Sequence, residues 1–211
     1  MYNEILKDRI EAATLLSEKL KKYKNSNSIV LAVPRGGVPL GYEIARNLHL
    51  PLDIILSKKI GHPSNKEFAI GAVSMDSTLV DVHSDVPKEY VEREIIRLRN
   101  LLREKHKLYR GDREPVAIKN KNVILVDDGI ATGNTLLASL KMLRKHQPAK
   151  IIVAVPVLPY DTLSVFEKNT DEFVYLIASK DFRGVGNFYV DFHQVEDDEL
   201  LQMLKSTHPP A

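Results

Sequence analysis

The sequence has no cysteine among its 211 residues. This absence excludes disulfide bonds, thiolate catalysis and zinc or iron–sulfur sites built on cysteine. The chain also lacks a run of about 20 apolar residues, which is the length that spans a bilayer. Its first residues carry charges throughout and have no apolar signal-peptide core. We therefore expect a cytoplasmic protein that does not bind a membrane.

A strong excess of charge of either sign is missing as well. The 30 basic and 28 acidic residues leave a formal net charge of +2, which is too small to predict a nucleic-acid partner. With 44% hydrophobic and 27% charged residues, the composition is typical of a globular protein. The length predicts a single domain over residues 1–211.

Several catalytic signatures are absent too. The sequence contains no H-E-x-x-H zinc motif, no G-x-S-x-G nucleophile turn and no G-x-x-x-x-G-K-[ST] phosphate loop. Gly36, Gly37 and Gly41 do not have the G-x-G-x-x-G spacing, which argues against a dinucleotide-binding oxidoreductase. The seven histidines form no metal-ligand pair on a helix.

What the chain does have is an alternation of apolar runs and helical patterns, which predicts an α/β fold with a mainly parallel sheet flanked by helices. The predicted strands are 28–33, 52–56, 123–126, 150–155 and 173–177. The predicted helices are 5–23, 38–48, 87–109, 135–146, 163–168 and 195–204. Residues 69–73 and 78–82 predict a small antiparallel pair, and the polar residues 58–68 predict a long mobile loop.

The richest functional signal follows the strand 123–126, which runs directly into Asp127 and Asp128. Ligands of open parallel sheets bind beyond the carboxyl ends of the strands, and paired carboxylates can accept bonds from sugar hydroxyls. The next loop carries two glycines and leads into a helix N-terminus, which favours a phosphate. Together these features predict a ribose 5-phosphate site. An acidic helix cap with a glycine turn is the alternative, but it explains only one carboxylate and one glycine.

The segment V-I-L-V-D-D-G-I-A-T-G-N-T resembles the motif of type I phosphoribosyltransferases that binds 5-phosphoribosyl-1-pyrophosphate (PRPP). The resemblance implies that Asp127 and Asp128 bind the ribose hydroxyls, close to a Mg²⁺ ion carried mainly by PRPP oxygens. It also implies the type I fold, with a flexible lid loop and a small hood from residues 1–28, 178–211 or both. The implied 5-phosphate site consists of Ile130, Ala131, Thr132, Gly133, Asn134 and Thr135.

Two further stretches resemble the pyrophosphate side of this family. The turn V-P-R-G-G-V-P places Arg35 where it could grip a phosphate, and Gly36 and Gly37 give access to backbone N–H groups. The family's loop commonly contains a strained or cis peptide, so we expect one near Arg35. Lys58 and Lys59 resemble the basic pair of adenine phosphoribosyltransferases, with a solvated loop as the alternative.

The acceptor side is less specific. Residues 64–75 lie where this family carries its lid, and Glu67 is the candidate for proton transfer there, or else a surface glutamate. Enzymes for 6-oxopurines usually have an aspartate where this chain has Ala131, which argues against hypoxanthine and guanine. Aromatic residues near the C-terminal end could stack on an acceptor ring or pack in the core. The candidates are Phe182, Phe188 and Tyr189.

These features predict a Mg²⁺-dependent enzyme that moves the phosphoribosyl group of PRPP to a nitrogen of a small, base-like acceptor and releases pyrophosphate. The catalytic residues would be Asp127, Asp128 and Glu67. The resemblance also suggests a homodimer. The alternative is a non-catalytic sensor of PRPP or a nucleotide, which would bind without turnover and have a poorly formed acceptor pocket.

Overall fold

The computed structural model describes residues 5–66, 68–80 and 86–207. Its strands are β1 (Ser28–Ala32), β2 (Leu52–Ile54), β3 (Ser57–Gly61), β4 (Ala69–Ser74), β5 (Thr78–Val80), β6 (Asn122–Val126), β7 (Lys150–Pro159) and β8 (Glu172–Ser179). Its α-helices are α1 (Arg9–Lys19), α2 (Gly37–Leu48), α3 (Lys88–Arg110), α4 (Asn134–Lys145), α5 (Leu163–Asn169) and α6 (Asp197–Thr207).

The described residues divide into two compact units. The first takes its residues from three segments, which are Met1–Ile55, Val116–Ala131 and Pro148–Ala211. The second takes its residues from Leu56–Pro115 and Thr132–Gln147.

A five-stranded parallel sheet forms the centre of the first unit, in the order β2-β1-β6-β7-β8 within the described residues. Consecutive residues of β1, β6 and β7 are buried, and consecutive side chains of a strand point to opposite faces. Both faces of these strands are therefore covered, as the continuous apolar runs in the sequence predict. The predicted α/β fold with a parallel sheet is confirmed.

Strand β7 is longer than its apolar run predicts, because it continues through Pro156 to Pro159. A proline cannot donate a ladder hydrogen bond and normally ends a central strand. Here the last residue of β7 paired with β6 is Ala154, so Pro156 lies beyond the central part of the ladder. Beyond it, Val157 still pairs with Ile177 of β8.

Helices α1 and α2 pack against each other and against the sheet, α1 on β7 and β8 and α2 on β1, β2 and β6. Helix α1 buries Ala13 and Leu16 completely. Asp8 caps its N-terminus by accepting bonds from the N–H groups of Ile10 and Glu11, both at 2.9 Å. The chain therefore begins α1 at Arg9, which is later than the predicted start at residue 5.

The buried Asp53 of β2 fixes two distant parts of the first unit. Its carboxylate accepts the N–H of Ile54 at 2.8 Å and the N–H of Val116 at 2.9 Å. The chain leaves the first unit after Ile55 and returns at Val116. The side chain of Asp53 thus connects the residue before the chain leaves the first unit, Ile54, with the residue at which it re-enters, Val116.

The second unit contains the antiparallel sheet β3-β4-β5. Leu98 and Leu102 of α3 pack on it in a cluster with Ile60, Ile70 and Val73, so the apolar stripe of this long helix covers a sheet of its own unit. Helix α4 contributes a smaller contact, in which Ala138 and Met142 pack on Ala72. The predicted antiparallel pair of β4 and β5 is confirmed for the residues that the structure describes.

The prediction of a mobile loop over residues 58–68 is wrong for its first part, because Ser57–Gly61 forms β3. This strand lies at the edge of its sheet, and charged residues such as Lys58 are common on edge strands. Its polarity reflects an edge position instead of a loop. The proposed lid over residues 64–75 is likewise shortened, since β4 begins at Ala69. The remaining connection is closed by a 2.8 Å bond from His62 N to Phe68 O.

Within residues 5–66, 68–80 and 86–207, no helix combines the length and the apolar character that crossing a membrane requires.

The ring of Phe166 in α5 is fully buried and stacks on Phe173 at a centroid distance of 5.3 Å. We expect Phe166→Ala to lower the free energy of unfolding by about 3–5 kcal/mol, because it leaves a cavity. Urea denaturation measures this change. The control is Val165→Ala on the same helix, where the side chain is 40% exposed and the change should stay within about 0.5 kcal/mol. Equal effects of the two substitutions would contradict the packing described here.

Candidate functional site

The centre of the parallel sheet is a topological switch point. From β1 the sheet continues to β2 on one side, and from the neighbouring β6 it continues to β7 and β8 on the other. Ligands of open α/β sheets bind in the crevice outside the carboxyl ends of the strands at such a point. Here β1 runs into the segment Val33–Gly37 and β6 runs into Asp127 and Asp128. Both predicted loops therefore leave the sheet side by side.

Two glycines allow these loops to approach closely. A Cβ atom on Gly37 would lie 2.7 Å from the carbonyl oxygen of Val126 and 3.0 Å from Cα of Asp127. A Cβ atom on Gly36 would overlap the carboxylate of Asp128. Only residues without a side chain fit at these two positions. The predicted pyrophosphate loop and the predicted ribose carboxylates thus lie in direct contact.

The peptide bond between Pro34 and Arg35 is cis, as the resemblance predicts for this loop. The side chain of Arg35 is half-exposed, and its Nη1 atom lies 3.9 Å from Oδ1 of Asp197 in α6. The guanidinium therefore remains accessible beside the glycine turn.

The two aspartates are half-buried, and each has one carboxylate oxygen bound within the protein. Oδ1 of Asp127 accepts the backbone N–H of Asp128 at 2.9 Å. Oδ2 of Asp128 accepts two bonds from Arg9, from Nη2 at 2.8 Å and from Nε at 3.2 Å. Among the described residues, no donor contacts Oδ2 of Asp127 or Oδ1 of Asp128. One oxygen of each carboxylate is thus left for a ligand.

Arg9 is the site residue that the sequence analysis missed. Its side chain is only 7% exposed, and besides Asp128 it contacts the carbonyl oxygen of His193 at 2.8 Å and the ring of Phe192 at 4.0 Å from the centroid. A signal was present in the sequence. Arg9 precedes Ala13 by four residues and Leu16 by seven, so a charged residue occupies the buried stripe of α1.

The environment changes the proton affinity of both carboxyl groups. Burial, together with the charge of Asp128, raises the pKa of Asp127 well above its ordinary value. Burial also raises the pKa of Asp128, although the hydrogen bonds and the charge of Arg9 act in the opposite direction. The carboxylates therefore repel each other in a weakly solvated place, and a cation bound there would favour their ionised forms.

The hydroxyl of Tyr189 holds the backbone of Asp128 by donating to its carbonyl oxygen at 2.8 Å. Burial raises the pKa of this hydroxyl, which keeps it protonated as a donor. Tyr189 also stacks on Phe192 at a centroid distance of 5.0 Å. This residue, predicted as an acceptor-stacking ring, therefore has a structural contact with the acidic pair.

The other two aromatic candidates pack on each other, with the rings of Phe182 and Phe188 stacked at 5.4 Å. Phe188 is buried and Phe182 is half-buried. Phe182 is thus less buried than Phe188 and Tyr189. Stacking of these rings on an acceptor remains a prediction.

The predicted 5-phosphate loop begins in the first unit and ends in the second. In the first unit the N–H of Ile130 donates to the carbonyl oxygen of Val157 at 2.8 Å, and Ala131 is exposed. In the second unit Thr132 is exposed, and Gly133 has φ +76° as the residue before α4. A positive φ of this size suits glycine.

Helix α4 then begins at Asn134, and its first turn, which includes the exposed Thr135, contains no acidic residue. The first N–H groups of a helix have no partner inside the helix, and the helix dipole makes this end favourable for an anion. The composition of this turn is compatible with the predicted phosphate.

Lys58 and Lys59 lie in β3, where Lys58 is exposed and Lys59 is half-buried. Neighbouring side chains of a strand point to opposite faces, so a pyrophosphate on one face would meet only one of the two lysines. Binding of pyrophosphate by Lys58 or Lys59 stays a prediction, but the two lysines cannot bind it together from one face of the strand. Glu67, the predicted proton-transfer residue, lies outside the described residues.

A magnesium ion would find only part of its coordination shell in the protein. Among the described residues, no group of three or more histidine, aspartate or glutamate side chains could hold a metal. Asp127 and Asp128 do supply the hard oxygen atoms that Mg²⁺ prefers. The two carboxylates could therefore supply part of the ligand set of a Mg²⁺ ion.

The chain is similar to a protein-family model and to two curated proteins. A family model described as the phosphoribosyl transferase domain matches residues 1–193. Two curated proteins of Mycobacterium tuberculosis, from strains CDC 1551 / Oshkosh and ATCC 25618 / H37Rv, are each 34% identical over 214 residues and cover 97% of this chain. Their names describe them provisionally as phosphoribosyl transferases. The chain spans about half, 47%, of their length.

A solved structure is similar as well. The crystal structure of TT1426 from Thermus thermophilus is 36% identical to this chain and has a TM-score of 0.88. The match covers 96% of this chain and 98% of that one.

The contact between Gly36 and Asp128 leads to a prediction on stability. We expect Gly36→Ala to lower the free energy of unfolding by about 1–3 kcal/mol, because the new methyl group overlaps the carboxylate. In an Asp128→Ala background the same change should cost clearly less, since the overlapping atoms are absent. Urea denaturation of the four proteins in this double-mutant cycle measures the difference. An equal cost in both backgrounds would contradict the close approach of the two loops.

Proposed function

Because the chain belongs to the phosphoribosyl transferase family, we propose that it transfers the 5-phosphoribosyl group of PRPP to a nitrogen of a base-like acceptor and releases pyrophosphate. The observation that carries the proposal is the direct contact of the Gly36–Gly37 turn with Asp127 and Asp128 at the switch point of the sheet. This contact supports a ligand that has a diol and a diphosphate on adjacent atoms, as PRPP has.

In this proposal Asp127 and Asp128 bind the ribose hydroxyls. Each has one carboxylate oxygen committed to the protein, and the second oxygen of each can accept a hydroxyl. Charge-assisted bonds of this kind fix the ribose and hold its reacting carbon in one orientation. The family's chemistry proceeds through an oxocarbenium-like ribose, and two nearby carboxylates would stabilise its positive charge.

The two phosphate ends of PRPP are assigned to separate groups of residues. The 5-phosphate would bind at the segment Ile130–Thr135, which includes the first turn of α4. The departing pyrophosphate would bind at Arg35 and at the N–H groups of Gly36 and Gly37. A role of Lys58 and Lys59, which belong to the second unit, stays a proposal from the sequence alone. Because charge develops on the leaving pyrophosphate, these cations supply electrostatic stabilisation.

Mg²⁺ would be carried mainly by the oxygens of PRPP, close to Asp127 and Asp128, and when present it would neutralise charge on the diphosphate. The residues of the chain orient the ribose and hold the phosphate groups around it. Glu67 stays a proposed proton-transfer residue, and Ala131 in place of an aspartate supports an acceptor other than a 6-oxopurine.

A second candidate function is a PRPP or nucleotide sensor without turnover. The packing of the candidate stacking rings favours it, since Phe188 and Tyr189 are buried against neighbouring side chains. Calorimetric titration of the Mg²⁺–PRPP complex, followed by a panel of bases with pyrophosphate detection, distinguishes the two. Pyrophosphate release with one base supports the transferase, and binding without release from the whole panel supports the sensor. An absence of PRPP binding would contradict both the transferase and a sensor of PRPP.

We expect Asp127→Ala and Asp128→Ala to weaken binding of Mg²⁺–PRPP by on the order of 2–5 kcal/mol each, because each removes a half-buried charged partner of the ribose. Calorimetry measures the change, and circular dichroism confirms that the fold is retained. The matched control is Asp161→Ala, which removes an exposed carboxylate and should leave binding unchanged. Unchanged binding in the Asp127 and Asp128 variants would refute the assignment of the ribose site.

A further inference from the structure

We propose that Arg9 is a positioning residue for this reaction, which holds the carboxylate of Asp128 in the orientation that receives the ribose. The inference rests on the proposed function and adds a residue from α1 to a site otherwise built from loops at the sheet. Arg9 would act through Asp128 without touching PRPP.

The geometry of the guanidinium supports this role. Nη2 and Nε both donate to Oδ2 of Asp128, at 2.8 and 3.2 Å, while Nη1 donates to the carbonyl oxygen of His193 at 2.8 Å. The guanidinium is planar and rigid, so bonds in two directions fix its plane. The ring of Phe192 covers it at 4.0 Å from the centroid. Arg9 is therefore held before any ligand arrives.

A held Arg9 in turn fixes Asp128. A carboxylate on an extended chain can otherwise rotate and present either oxygen. Arg9 occupies Oδ2, and the hydroxyl of Tyr189 holds the backbone carbonyl of the same residue at 2.8 Å. Oδ1 is then the oxygen that Asp128 presents, while Asp127 presents its Oδ2 because its Oδ1 accepts the N–H of Asp128. Two acceptors in fixed positions match two neighbouring hydroxyls of a ribose.

The positive charge of Arg9 also affects the site. PRPP is a polyanion, and two ionised aspartates beside its binding site would repel it. Nη2 of Arg9 lies 2.8 Å from Oδ2 of Asp128, so its positive charge offsets the negative charge of that carboxylate. Since the Arg9 side chain is only 7% exposed, this charge acts on the site from inside the protein.

The orientation and charge effects can be separated by two substitutions. Arg9→Met removes both, and we expect the Kd of Mg²⁺–PRPP to rise by about 100-fold, because the substitution truncates one partner of a buried, hydrogen-bonded charge pair. Arg9→Lys keeps the charge but loses the planar fork. It should recover a substantial part of the binding, while any turnover stays low because the carboxylate is no longer oriented. Calorimetry gives Kd, and pyrophosphate release gives KM and kcat.

Two control variants distinguish positioning from general stability. Leu16→Ala creates a cavity in the same helix, since Leu16 is fully buried, but it does not reach Asp128. Arg46→Met removes an arginine of α2 whose Nη2 lies 2.6 Å from Oε2 of Glu43 in that helix. Both controls should bind PRPP as the original protein does. If Arg9→Met does not fold, Arg9→Lys alone carries the test: it should keep a substantial part of the binding and lose kcat, and an unchanged Kd together with an unchanged kcat would overturn the inference.

The outcomes separate this inference from the proposed function. If the unaltered chain does not bind PRPP, the proposed function fails and Arg9 has no role to support. If the unaltered chain binds PRPP and Arg9→Met binds it within about twofold, the inference on Arg9 is wrong and the proposed function stands. A loss in Arg9→Met that Leu16→Ala reproduces would also overturn the inference, because it would reflect stability alone.

Discussion

The candidate site depends on the parallel pairing of β1 with β6. Five residues of each strand pair in register, from Ser28 with Asn122 to Ala32 with Val126. The two strands therefore end at the same height, although Asn122 lies 94 positions after its partner Ser28 in the chain. The bond from Val33 N to Val126 O continues this pairing by one step. Everything else in the site follows from this register, because a shift of one residue would separate the glycine turn from the aspartates.

Much of this arrangement could be predicted from the sequence. The apolar strands predicted the parallel sheet, and the V-I-L-V-D-D-G-I-A-T-G-N-T segment predicted the family. The resemblance of the glycine turn to the family's pyrophosphate loop predicted the cis peptide near Arg35. These signals are local, since each depends on a few consecutive residues. The predicted membership in the phosphoribosyl transferases is confirmed by the domain match over residues 1–193.

The features that escaped prediction depend on distant contacts. Arg9 lies 119 residues before Asp128, and a single arginine in a helical pattern does not indicate which carboxylate it binds. The strand at Ser57–Gly61 resembled a loop because edge strands tolerate the polar residues that loops also contain. Tyr189 could be recognised as an aromatic near the acceptor region, but its bond to the backbone of Asp128 requires the fold to be known.

The tie formed by Asp53 has a consequence for how this architecture can diversify. The segment from Leu56 to Pro115 starts and finishes at neighbouring points of the first unit, because Ile54 and Val116 bind the same carboxylate. Such a segment resembles a domain inserted into a turn, whose two attachment points do not move when its interior changes. The entropic cost of a longer connection rises only with the logarithm of its length. Insertions and deletions within the segment from Leu56 to Pro115 can therefore accumulate while β1 and β6 keep their register.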